Sequence, residues 1–339
     1  MRAARYHGPG QPLRPESVPV PSIGDHDALV RVRAAGVCHT ELHFLSGLLN
    51  LGVAPLILGH EIAGEVAAVG GHVRNVRPGD RVLVYYYQGC GVCSWCLRGL
   101  ENLCDDIRAE LGFITDGGYA EYVGTPARCL VALPDSLSFQ EAATLGCAGT
   151  TAVHAAKGIA DLRQGEWAVV YGVGGVGLAL VQLCRLMGAP AVAVGRSEAK
   201  LAKARELGAE AAINATAADV AEEVMRLTGG RGADVIFELV GTAETMRNSV
   251  AMLRKRGRLV FIGYSEDPFT ASTILLVTKE AVVTASVGNT LAEVRDTLDL
   301  AAAGKLKAVI HGTFPLEEVN TALEELRAGR IVGRAVLVP

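Results

Sequence analysis

A short apolar strand runs into Gly172-Val173-Gly174-Gly175-Val176-Gly177, and a helical stretch follows at once. This G-x-G-x-x-G constrains the fold more than any other segment. Gly172 allows a tight turn, Gly174 lets the backbone approach a pyrophosphate, and Gly177 lets the helix pack closely on the strand. The backbone N–H groups from Gly175 and Val176 onward open the helix and offer its positive dipole end to phosphate. The competing reading is a glycine-rich turn without a ligand. The flanking pattern argues against it, because residues 167–171, 191–194, 211–213, 235–239 and 258–262 all read as strands. Helical stretches at 178–187 and 197–207 separate the first three. Such alternation predicts a doubly wound parallel sheet, α/β in class, over residues 148–288.

The second of these strands carries information about the cofactor. A site for NAD(H) usually places an acid about 20 residues after the glycines, on the ribose 2′-hydroxyl. Here the strand ends in Gly195-Arg196-Ser197. A small residue leaves room for a 2′-phosphate, and Arg196 and Ser197 supply donors for it. The sequence therefore favours NADP(H). NAD(H) stays possible if Arg196 is simply solvated.

Residues 1–147 have a different texture, with strands predicted at 28–32, 81–87 and 119–123 between turn residues. Ser138 and Glu141 have capping-box spacing and open a helix after Pro134. Mixed helix and strand return over 289–339, ending in a strand at Arg334–Val338. The chain has 339 residues, 50% of them hydrophobic and 20% charged, with net charge −4, so it reads as two globular domains without a basic face for nucleic acid. The start carries no apolar signal segment, and the apolar stretch from Ala168 is glycine-rich. The expectation is a cytoplasmic protein with no membrane partner.

Four of the eight cysteines, Cys90, Cys93, Cys96 and Cys104, are spaced C-x2-C-x2-C-x7-C inside a lobe at 88–105. Four thiolates can close a tetrahedron around one zinc ion and leave no open position, which suits a structural site. A disulfide or a reduced loop is the other reading, and the reducing compartment argues against the disulfide. Three further segments hold ligand-type residues. They are Cys38-His39-Thr40-Glu41-Leu42-His43, read as a loop after a strand; Gly59-His60-Glu61, which opens G-H-E-x2-G-x5-G-x2-V; and Leu145 to Thr151, with Cys147. Singly, each has an ordinary explanation, since a free cysteine is usually a small buried hydrophobe. Cys129 and Cys184 fit that description.

Together, in this order and with the glycine fingerprint, these motifs resemble the zinc-dependent medium-chain alcohol dehydrogenases along essentially the whole chain. The resemblance implies a GroES-like β-rich catalytic domain completed by the C-terminal segment, beside a Rossmann cofactor domain. It implies Cys38, His60 and Cys147 as ligands of a catalytic zinc, with Glu61 beside the metal or an occasional fourth ligand. Thr40 and His43 match a proton relay, Thr151 a position near the nicotinamide, and Arg334 a pyrophosphate contact. Tyr86 resembles a substrate-pocket position, and Leu48 lies in an apolar run expected beside the zinc. Tyr85 and Tyr87 read equally well as core. Where the family often has aspartate after the relay Thr or Ser, this chain has Glu41, which leaves open whether a carboxylate still orients His60.

The implied reaction is hydride transfer between an alcohol, apolar or aromatic, and a nicotinamide cofactor, giving an aldehyde or ketone. A homodimer or homotetramer is expected. The alternative on the same scaffold is an enoyl-thioester reductase, most of which lack the three catalytic ligands present here. A non-enzymatic zinc module contacting nucleic acid is a third reading, disfavoured by the acidic balance.

Overall fold

The computed structural model describes residues 1–339. The chain divides into two compact units, residues 1–150 with 289–339, and residues 151–288.

The first unit is built on a seven-stranded sheet. Its path runs Leu130–Ala132, Arg81–Val84, Glu61–Val69, Asp27–Val37, Arg334–Val338, Ile310–Pro315, and Tyr122–Pro126 also pairs with Asp27–Val37. Along Asp27–Val37 the side chains of Ala28, Val30, Val32 and Ala34 are buried while Arg31 is exposed, the two-residue period of a sheet with one wet face. From Ala34 to Val37 every residue is buried, so this end is covered on both faces. Gly36 lies at the centre of that covered end. Glu61 pairs with it from one neighbouring strand and Val336 from the other. Because Ala335 opposes Val37 in the antiparallel C-terminal strand, the next register position brings Arg334 to Cys38.

The second unit carries a six-stranded sheet whose pairs are all parallel. The strands lie in the order Ala211–Asn214, Ala191–Gly195, Ala168–Tyr171, Ala233–Glu238, Leu253–Phe261, Val282–Ala285. This is the strand order of the doubly wound dinucleotide-binding sheet. Ala168–Tyr171 is buried throughout, as expected for a strand covered on both faces by helices. Val169, Val192, Val194, Ile236 and Leu259 form the heart of its core.

Three local expectations change. The stretch from Thr40 is a short helix, Thr40–Ser46, and not a loop; Leu42, Phe44 and Leu45 turn into the core and Gly47 ends it in the left-handed conformation. The strand expected at 81–87 stops at Val84. Tyr85 N–H still reaches the carbonyl of Cys129, but the Tyr86 carbonyl accepts from Leu111, and Tyr87–Gln88 pairs with Ala109–Glu110 in a separate two-stranded sheet. The strand expected at 119–123 begins at Tyr122, since Tyr119 and Ala120 are occupied with the N-terminal strand through Ala4 and Ala3. The Ser138 capping box is present, with Glu141 returning to the Ser138 N–H at 2.8 Å.

Candidate functional site

Cys38 directly follows the central strand, His60 precedes the neighbouring one that Glu61 opens, and Cys147 sits in a π-helical turn, Leu145–Gly149. Such wide turns recur at functional positions. Thr150 pins this one by donating its hydroxyl to the carbonyls of Gly146 and Cys147, at 3.0 and 3.1 Å. One ligand atom from each of Cys38, His60, Glu61 and Cys147 lies within 4.8 Å of all the others, and all four residues are buried. Two sulfurs, an imidazole and a carboxylate form a donor set that suits zinc.

Several groups hold these donors in place. Glu41 Oε2 accepts from the Cys38 backbone N–H at 2.8 Å, and Glu41 Oε1 lies 3.2 Å from His60 Nδ1. That Nδ1 contact is close enough for an ion pair, although it lacks hydrogen-bond alignment. The glutamate thus stands where the carboxylate partner of a metal-bound histidine stands, with Nε2 left for the ion. Arg334 is buried as well. Its Nε donates to Glu61 Oε1 at 3.0 Å and its Nη2 to Cys38 Sγ at 3.4 Å. The family resemblance implies a pyrophosphate contact for Arg334; in the structure its guanidinium bonds Glu61 and Cys38. The link spans the whole chain, so no local motif marks it.

The electrostatics are those of a site that needs a cation. A hydrogen bond from Cys147 holds the Cys38 thiol well below its ordinary value, with Arg334 and His60 adding to the effect. The same hydrogen bond, and then burial, pushes Cys147 up. Burial raises Glu61 to about 8 against the opposing charge of Arg334. Burial alone would lower His60, yet Glu41 and Cys38 more than offset it and raise it. A divalent ion bound here would favour the deprotonated form of these ligand-type groups.

An aromatic wall flanks the ligands. The Tyr86 and Phe113 rings lie 5.1 and 5.0 Å from the His60 ring, and Phe113 stacks on Tyr86 at 6.1 Å. Tyr86 was expected here; Phe113, a lone aromatic in a turn, gave no signal in the sequence. Tyr85 and Tyr87 are buried, and the Tyr85 hydroxyl donates to the Asn289 carbonyl at 3.0 Å. Leu48 is half-buried just past the Thr40–Ser46 helix. Thr40 Oγ1 lies 3.5 Å from Cys38 Sγ, at the metal ligands. His43 lies one turn further along the same helix, half-buried, its ring 5.1 Å from that of His39.

In the cysteine lobe the Cys90 and Cys96 sulfurs are 4.0 Å apart, and those of Cys93 and Cys104 3.9 Å apart. Zinc–sulfur bonds of about 2.3 Å in a tetrahedron require sulfurs about 3.8 Å apart, so the lobe is shaped for the ion. Backbone N–H groups of Cys90, Cys93 and Cys96 point at the sulfurs of Cys104, Cys90 and Cys93, at 3.2, 3.3 and 3.5 Å. Such bonds stabilise thiolates; the one from Cys96 is the main reason Cys93 is lowered to about 6. All eight cysteines are free thiols.

In the second unit, Gly172 has φ +113°, which only glycine adopts readily. A Cβ on Gly177 would lie 2.0 Å from the Gly172 carbonyl oxygen, whereas one on Gly174 would meet nothing within 4 Å. The three glycines therefore serve turn, packing and open approach as their spacing implies. Gly174 precedes the helix Gly175–Leu186 in extended conformation. At the end of the second strand, Arg196 is exposed and Ser197 half-buried. Lys200 joins them: burial first, and then the charge of Arg196, lowers its pKa. Thr151 is buried in the helical turn Thr150–Val153.

Residues 24–135 match the alcohol dehydrogenase GroES-like domain, and residues 175–303 match the zinc-binding dehydrogenase family. The chain is 36% identical over 339 residues to an alcohol dehydrogenase from Moraxella sp. (strain TAE123), covering 99% of each. The chain belongs to the zinc-binding medium-chain alcohol dehydrogenases. Its two units are accordingly a GroES-like β domain and a Rossmann-type domain. This alcohol dehydrogenase is an oxidoreductase acting on CH–OH donors, with two zinc-type sites, the four-cysteine lobe and the Cys38–His60–Glu61–Cys147 cluster. It is also 36% identical to the NAD-dependent alcohol dehydrogenase of Sulfurisphaera tokodaii, over 349 residues and the full length of both. The crystal structure of the alcohol dehydrogenase from Aeropyrum pernix matches with a TM-score of 0.95 at 34% identity, over both whole chains. A zinc-binding dehydrogenase structure from Sinorhizobium meliloti bound to NADP matches at 0.90 and 30%, over all of this chain and 99% of that one. No helix of this dehydrogenase is long and apolar enough to cross a membrane.

Proposed function

We propose that this dehydrogenase oxidises apolar or aromatic alcohols, or reduces the matching aldehydes and ketones, with NADP(H) favoured over NAD(H). The observation that carries the reading is the cluster of Cys38, His60, Glu61 and Cys147 beneath the aromatic wall of Tyr86 and Phe113. Cys38, His60 and Cys147 would hold a zinc ion, which would supply Lewis acidity, and the bound nicotinamide would supply the hydride acceptor.

The chain's own residues do the rest. Thr40, close to Cys38, takes the hydroxyl proton of the alcohol and hands it towards His43. Burial, and then the charge of His39, lowers the pKa of His43, so its imidazole is neutral and able to accept at neutral pH. Glu41 places its negative charge 3.2 Å from His60 Nδ1, which favours the proton on that nitrogen, and at the same time accepts the Cys38 amide. Tyr86, Phe113 and Leu48 present an apolar surface to the carbon skeleton. Amides of Gly174, Gly175, Val176 and Gly177 cradle the pyrophosphate, Gly172 shapes their turn, and Thr151 stands near the nicotinamide.

The lean to NADP(H) rests on Gly195-Arg196-Ser197 and on Lys200. A side chain on Gly195 would come within 2.6 Å of Val173 Cγ2, so the usual acid has no space there. Relatives speak for either cofactor: the Sulfurisphaera protein is named NAD-dependent and the Sinorhizobium structure held NADP. The quaternary reading is a homodimer or homotetramer. The edge strand Val282–Ala285 and the helix Thr273–Lys279 expose Val282, Ile274, Leu275 and Val277, an apolar edge suited to a second copy.

The test is a kinetic screen of aliphatic and aromatic alcohols and aldehydes with both cofactors. Turnover highest on apolar or aromatic substrates with NADP(H) is expected. Turnover confined to activated C=C bonds would contradict the reaction assigned to this site.

A further inference from the structure

Glu238 is a buried carboxylate that the reaction above does not use. It ends the strand Ala233–Glu238, is 0% exposed, and lies opposite Tyr171, the residue before Gly172. The strand order reverses between these two strands, running out to Ala211–Asn214 on one side and to Val282–Ala285 on the other. In a doubly wound sheet the dinucleotide lies in the crevice beyond the carboxyl ends of that pair. One lip of the crevice is the glycine turn. The other is Leu239-Val240-Gly241, which follows Glu238 and carries no fingerprint of its own.

Glu238 shapes that second turn. Its Oε1 accepts from the Val240 N–H at 3.1 Å and its Oε2 from the Gly241 N–H at 2.8 Å. Its carbonyl accepts the amides of Ile262 and Gly263, at 2.8 and 3.0 Å, so one residue ties the end of the neighbouring strand to the turn. The turn in turn packs on the glycines: a Cβ on Gly172 would meet Leu239 Cβ at 3.1 Å and Val240 Cγ2 at 3.2 Å. Leu239 N–H also donates to the Tyr171 carbonyl at 2.9 Å. Burying a carboxylate is costly, and a negative charge at this end of the sheet works against phosphate. Its use here is therefore geometric, since no neutral side chain of this length offers two acceptor oxygens to two amides.

We propose that Glu238 is a positioning residue for the dinucleotide: by clamping the Val240 and Gly241 amides it holds the turn that backs Gly172, and so sets cofactor affinity through that turn. The inference rests on reading the glycine turn as the dinucleotide site. Arg196 and Ser197 act on one cofactor, through its 2′-phosphate. Glu238 acts on NADH and NADPH alike, because the pyrophosphate is common to both.

The test is fluorescence titration of NADH and NADPH into full-length wild-type and Glu238→Gln enzyme, well below Tm, with amide hydrogen exchange across the turn read in the cofactor-free protein. Glutamine keeps the size and one acceptor oxygen but turns an NH2 towards the second amide. Kd is expected to rise about 3–10-fold for both cofactors, the factor that one lost hydrogen bond corresponds to, and exchange at Val240 and Gly241 to quicken. If the glutamine variant does not fold, Glu238→Asp is read in the same way, since it keeps the charge but withdraws it by one methylene. Unchanged affinity for both cofactors beside a lowered Tm would make Glu238 purely structural and overturn the proposal. Weakening of one cofactor alone would overturn it too, by placing the effect at the 2′-phosphate. A wild-type enzyme that binds neither reduced cofactor would instead overturn the dinucleotide reading beneath the proposal.

Discussion

Replacing Arg196 with alanine separates the two cofactors. NADPH differs from NADH by a 2′-phosphate, and Arg196, Ser197 and Lys200 follow the end of Ala191–Gly195, where the proposed reading puts that group. A charge-assisted hydrogen bond contributes about 1.5–3 kcal/mol, whereas an exposed ion pair contributes about 0–1 kcal/mol. Arg196 is exposed, so solvent screens it, but a phosphate carries more charge than a carboxylate and accepts from two guanidinium nitrogens at once. About 1.5–2 kcal/mol is a reasonable loss, and Lys200 retains part of the attraction. At about 1.4 kcal/mol per tenfold, Kd for NADPH should rise about 10–30-fold. NADH makes no such contact and should change by less than about twofold. Fluorescence titration of both reduced cofactors into wild-type and Arg196→Ala enzyme reads this directly. An equal loss for NADH and NADPH, or no loss for NADPH, would refute the phosphate-binding role.

Cys93→Ser removes one of four ligands from the lobe and touches no part of the reaction. Losing a few kcal/mol of metal binding, at about 2–4 °C per kcal/mol for a protein this large, should lower Tm by about 5–10 °C in calorimetry and leave kcat nearly unchanged at low temperature. His43 should set an acid limb on alcohol oxidation. Its pKa is lowered from the ordinary histidine value near 6.5, so the neutral, proton-accepting form persists through neutral pH and is lost only as pH falls below that value. A pH profile of kcat/KM should show the limb below about 6.5, and His43→Gln should lower the rate and remove the limb. An unaltered profile in the variant would take His43 out of the relay.

Elements whose logic is local were readable from the sequence. The glycine fingerprint carries its own structural requirements, and the structure realises them at Gly172 and Gly177. The capping box at Ser138 and the four-cysteine spacing are equally self-contained. What escaped was set by distant parts of the chain. The strand from Arg81 reads as continuous through Tyr87 because the residues are all β-formers. It ends at Val84 because Ala109–Glu110 offers Tyr87–Gln88 a different partner. Thr40–Ser46 has too few residues for a helical period to show, and it forms because Leu42, Phe44 and Leu45 find a core to enter. Phe113 on His60 and Arg334 on Glu61 are tertiary contacts with no motif of their own. Glu41 lies between these cases. Its position was visible, but whether its longer side chain reaches His60 depends on the turn after Cys38, where the carboxylate also accepts the Cys38 amide.

Counting the metal in the purified protein and in Cys38→Ser tests the central claim most directly. Two clusters of ligands predict two zinc ions per chain in the wild type. The variant should keep only the lobe zinc, retain its circular dichroism spectrum and lose turnover. A Cys38→Ser protein that still binds two zinc ions, or that turns over alcohol at a near-normal rate, would contradict the account.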